Sequence, residues 1–93
     1  MFIQDNILKI TYASSATEDD IQKLIAGIKN KLSPQIDTIQ IDNEDMPISL
    51  LFFLVDVLKN DNMNLMVNAV LFKRLQNILD AEIFQNQIRI IHE

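Results

Sequence analysis

From Ile7 to Tyr12 the chain alternates: Leu8, Ile10 and Tyr12 fall on one face and Lys9 and Thr11 on the other, the period of two of a half-buried strand. Phe2 and Ile3 predict a short strand ahead of it, with Asp5 and Asn6 supplying the turn. The period then changes. Ile21, Leu24, Ile25, Ile28 and Leu32 recur at i, i+3, i+4, i+7 and i+11, one apolar stripe of a helix. Thr17 caps its start, Glu18, Asp19 and Asp20 face the positive end of its dipole, and Pro34 ends it.

Ile36 to Asp42 is rich in β-branched residues and predicts a second major strand, followed by the acidic loop Asp42, Asn43, Glu44 and Asp45. A second helix is predicted from Pro47 to about Lys59, with Pro47 in its first turn. Asn60, Asp61 and Asn62 break it. Leu65 to Val67 predicts a short strand. Val70 to Leu79 predicts a third helix, with Leu71, Leu75, Ile78 and Leu79 on its buried side, and Ile88, Ile90 and Ile91 a last strand. Strands and helices alternating over short connections predict an α/β fold, a mainly parallel sheet covered by helices.

The chain has 93 residues, enough for one core and too few for two, so 1–93 is expected to be a single domain. Hydrophobic residues make up 48% and charged residues 23%, a balance that favours folding over disorder. The longest apolar run, Leu50 to Val55, is far short of the roughly 20 residues of a membrane span, so no direct membrane insertion is expected. Met1 to Asn6 lacks the basic start and apolar run of a signal peptide, and there is no cysteine; both fit a cytoplasmic protein. The net charge of −5 and the scattered Lys and Arg residues argue against nucleic acid as a partner.

Enzyme chemistry finds little to work with. The single histidine, His92, is the penultimate residue and reads as a frayed terminal side chain; without cysteine it forms neither a nucleophile and base pair nor a transition-metal site. The single glycine, Gly27, lies inside the first helix, so no glycine-rich loop cradles a phosphate. Asp42, Glu44 and Asp45 could in principle offer oxygen ligands to a hard cation such as Mg²⁺, but the pattern reads first as an ordinary solvated acidic turn. No cofactor and no bound metal are expected.

The second helix carries the main functional signal. Leu50, Leu51, Leu54, Val55, Val57 and Leu58 cover more than half of its circumference, leaving a narrow polar stripe of Ser49, Asp56 and Asn60 with Phe52 and Phe53 on its two sides. Either the phenylalanines flank an exposed serine and aspartate in a protein-binding patch, or both rings fold inward against the sheet; the pattern leaves both open. The leucines suit a core, a homodimer or a heterocomplex equally.

From Ile36 to Phe84 the chain resembles the core of the sulphate transporter and anti-sigma factor antagonist (STAS) family. The pieces are Ile39-Gln40-Ile41-Asp42, Ser49-Leu50-Leu51, Leu54, Lys59, Leu65-Met66-Val67, Lys73-Arg74-Leu75 and Ile83-Phe84. The resemblance implies a STAS-like sandwich, a mixed, mostly parallel sheet of four to five strands with about three helices. It implies a non-enzymatic regulatory module that binds a kinase-like anti-sigma factor by partner switching. Glu44, Asp45, Ser49, Phe52, Phe53 and Asp56 would form the binding surface. Ser49 aligns with the family's phosphorylated serine, while Pro47, Ile48 and Leu50 stand where its Asp-Ser-Ser-Gly motif has aspartate, serine and glycine. A second branch of the family implies a structural subunit bound to the ATPase of a membrane lipid transporter, with no phosphorylation.

Overall fold

The computed structural model describes residues 1–91, and His92 lies outside them. Five strands form one sheet in the order β1 (Phe2–Gln4), β2 (Ile7–Ile10), β3 (Thr38–Ile41), β4 (Asn64–Val67) and β5 (Ile88–Ile90). β1 is antiparallel to β2, and every other neighbouring pair is parallel. Asp5, at φ 56°, makes the turn between the first two strands. The helices are α1 (Glu18–Lys31), α2 (Ile48–Asp61), α3 (Ala69–Gln76) and α4 (Ala81–Gln87). The architecture is α/β, with the mixed, mostly parallel sheet that the alternating pattern predicts.

Strand order follows chain order, so each parallel crossover steps one strand in the same direction. Right-handed crossovers repeated in one direction place all the helices on one face of the sheet. Burial agrees. Leu8, Ile39, Leu65 and Ile88 are paired across the sheet and buried, and Ile10, Ile41 and Val67 form a second buried row. The intervening row, Phe2, Lys9, Gln40, Met66 and Arg89, lies on the opposite face and stays at least partly exposed.

Local chemistry sets the helix ends. Thr17 and Asp20 form a reciprocal capping box on α1: the Asp20 amide donates to Thr17 Oγ1 at 3.2 Å and the Thr17 amide to Asp20 Oδ2 at 3.0 Å. Pro47 stands at the N-cap of α2, one residue outside the expected first turn, and makes no side-chain cap. Asn62 ends α2 in the left-handed region at φ 52°, a conformation asparagine tolerates better than most residues. Asn68 caps α3, its Oδ1 accepting from the Leu71 amide at 2.9 Å.

The third predicted helix is divided. Regular helix stops at Gln76, and the Asn77 and Ile78 amides donate three residues back, to Arg74 and Leu75. That tighter turn rotates the chain off the apolar stripe, so Ile78 is 63% exposed rather than buried, while Leu71 and Leu75 keep their places in the core. Asp80 then starts the additional helix α4, which buries Ile83 and sets Phe84 against Phe72 with ring centroids 4.6 Å apart.

Candidate functional site

The carboxyl ends of the parallel strands carry the loops from which the site is built, as is usual where α/β sheets bind. Tyr12, just past β2, has its hydroxyl bonded to the Asp45 carbonyl, and its own carbonyl accepts from Asn43 Nδ2 at 2.7 Å. Two long-range bonds thereby strap the β3–α2 loop to the end of β2. Burial pushes the Tyr12 phenol up to about 12. The bond to Tyr12 orients the Asn43 amide and leaves its Oδ1 buried without a partner among the described residues. A cleft of about 460 Å³ lies here, lined by Tyr12, Ala16, Asp42, Glu44, Met46 and Pro47.

The acidic loop divides its charges. Asp45 forms an ion pair with Arg74 of α3, and Asp42 accepts from Asn68 Nδ2 at 3.4 Å, while Glu44 is exposed. Among the described residues no group of three His, Cys, Asp or Glu side chains is placed to hold a metal ion. The Mg²⁺ alternative for Asp42, Glu44 and Asp45 therefore lacks a formed ligand set.

On α2 the sequence-predicted residues part company. Ser49 is half-buried and its Oγ donates to Glu18 Oε2, in the first turn of α1, at 3.3 Å. Phe53 is half-buried on the same side, with Lys29 Nζ of α1 5.7 Å from its ring centroid. Phe52 is 66% exposed and Asp56 is exposed. One ring thus points to solvent and the other lies along the α1 seam, an arrangement intermediate between the two the helical pattern allows.

Ile48 is the residue the sequence reading missed. It is 68% exposed, one turn before Phe52, so the two form an apolar step on the outer surface of α2. The signal was present: at about 100° per residue Ile48 falls within roughly 40° of both Phe52 and Lys59. An isoleucine beside a helix start is ordinarily assigned to the core, and that habit hides it.

A second hollow, of about 560 Å³, lies at the opposite end of the sheet among Asn62, Asn64, Asp80 and Glu82. Gln87 on its wall is already engaged, its Nε2 donating to the carbonyls of Leu58 at 2.6 Å and Met63 at 2.8 Å.

Among the described residues no helix is long and apolar enough to cross a membrane. Comparison of the chain with protein-family models, with curated proteins and with solved structures gave no match.

Proposed function

We propose that this chain is a non-enzymatic, cytoplasmic protein-binding module of the STAS kind, and that it engages its partner through the start and outer stripe of α2. The observation that carries this reading is the exposed pair Ile48 and Phe52, one helical turn apart. Large apolar side chains adjacent on a surface lose contact with water only when something covers them, and aromatics are favoured anchors at interfaces. Ser49, next to Ile48, and Asp56, one turn beyond Phe52, border the pair with polar groups, in the manner of an interface rim.

Regulation at Ser49 follows from its place. A phosphate there would bring about −1.5 to −2 charges beside Glu18 and at the border of the apolar step, weakening an apolar contact. The attachment of a transporter ATPase without phosphorylation is the second reading. It is favoured by one observation: the Ser49 hydroxyl is half-buried and already given to Glu18.

The test is affinity capture from native cells with the wild-type chain and with Phe52→Asp and Ile48→Glu, together with mass spectrometry of Ser49. A partner held by wild type and lost by both variants supports the α2 surface. A kinase-like ATPase with phosphate on Ser49 selects partner switching, and a transporter ATPase with unmodified Ser49 selects the structural subunit. Equal capture by all three chains removes this surface from consideration.

A further inference from the structure

β1 is an open edge, and its composition is unusual for one. Natural sheets guard exposed edges with lysine, proline, bulges or covering segments, because unpaired backbone groups invite another strand. Met1, Phe2, Ile3 and Gln4 have no charged side chain and no proline, and the residues are exposed: Met1 by 40%, Phe2 by 58% and Ile3 by 48%. Among the described residues, no loop, turn or cap hydrogen bond uses the backbone of this segment. The opposite edge, β5, is guarded by Arg89, whose guanidinium is turned onto the carbonyls of Gln85, Asn86 and Ile88.

We propose that β1 is a self-association edge, at which two copies of this chain pair antiparallel about a twofold axis centred on Ile3. An antiparallel strand is its own complement under twofold symmetry, so the contact closes at two copies and does not propagate. Ile3 of one copy then faces Ile3 of the other. Ile3 is in register with Leu8, and through it with Ile39, Leu65 and Ile88, so the pair joins the two apolar rows into one. Phe2 of each copy faces Gln4 of the other on the helix-free side, where Lys9 lies 5.7 Å from the Phe2 ring centroid. The chain carries −5 overall, yet this segment has no charged side chain and its Phe2 is paired with Lys9 of β2, so repulsion between the acidic side chains of two copies is small here.

The strand has three residues, which limits the buried area to well below the roughly 1,200 Å² of stable complexes, so the association is weak and concentration-dependent. This association is independent of the α2 surface.

Sedimentation velocity of the full chain from about 10 µM to about 1 mM tests it. The expected result is a weight-average mass rising from 10.7 kDa towards twice that value, with Ile3→Lys weakening association at least about tenfold and Phe52→Asp leaving it unchanged. Amide hydrogen exchange of the wild-type chain should gain protection at Phe2–Gln4 at the higher concentration, a readout that does not depend on any variant's folding. A monomer throughout the range, or a dimer that survives Ile3→Lys and is lost in Phe52→Asp, overturns the proposal.

Discussion

The Ser49 hydroxyl donates to the Glu18 carboxylate at 3.3 Å, joining the first turns of α2 and α1 across 31 residues of sequence. Two effects compete for a negative charge at Ser49. The first turn of α2 contains no acid, so its dipole favours one there by about 0.3–1 kcal/mol, while Glu18 opposes it by a similar amount, about 0.2–1 kcal/mol. Ser49→Asp is therefore expected to change stability by less than about 0.5 kcal/mol, and to stabilise by about 0.5 kcal/mol once Glu18→Gln has removed the opposing charge. Urea unfolding of the four chains of this cycle measures the coupling.

Tyr12 is the one tyrosine in the chain, so its titration is readable directly by ultraviolet absorbance. Its folded-state value, about 12, lies above the ordinary 10, so folding favours the neutral phenol. The stabilisation is complete below about pH 10 and is lost as the pH rises towards 12. A phenolate transition centred near pH 10 in the folded protein would contradict the burial of this ring under the β3–α2 loop.

At the acid end the linkage has the opposite sign. The Thr17 backbone amide first, and its hydroxyl second, hold the Asp20 carboxyl below its ordinary value. The contribution of the α1 capping box is present above the ordinary carboxylate range and lost as the pH falls through the lowered one. Asp20→Asn should flatten the loss of stability between about pH 5 and pH 2 seen in acid unfolding.

The inner and outer sides of α2 should respond very differently. Leu54 is fully buried, so Leu54→Ala is expected to cost about 2–5 kcal/mol, enough to threaten a domain of ordinary stability. Phe52→Asp removes only exposed surface and should fall within about 0.5 kcal/mol of wild type. Comparable losses from both in thermal unfolding would mean that Phe52 is covered in the folded protein.

Gly27 sits inside α1, where glycine costs about 1 kcal/mol relative to alanine. A Cβ added there comes within 3.0 Å of Met1 Cε, the tip of a flexible, partly exposed side chain that has room to move. Gly27→Ala should therefore stabilise by about 0.5–1 kcal/mol and raise the unfolding midpoint by several degrees. A lower midpoint would show that Met1 is held firmly against the helix.

Most secondary structure was legible because its determinants are local. The alternation at Leu8 and Ile10, the stripe from Ile21 to Ile28 and the Thr17 cap depend on spacing within one element, and the structure reproduces each. The division after Gln76 was not legible, since Leu79 continues the helical spacing well enough to mask the turn at Asn77 and Ile78. In the candidate site, exposure of Phe52 and Asp56 was open to inference from the helical wheel. The contacts of Ser49 with Glu18 and of Asp45 with Arg74 link residues on different elements, and no spacing rule reaches them.

By itself, then, the order of apolar and polar residues determined an α/β chain of alternating strands and helices and the inner face of α2. Tertiary structure alone decided that all the helices share one side of the sheet, that Phe53 lies along α1 while Ile48 and Phe52 face solvent, and that β1 ends the sheet with its edge open. The physical reason is that periodicity records only which side of an element avoids water. Which neighbour covers that side, and where the covering stops, depends on crossover direction and strand order, properties of the whole chain.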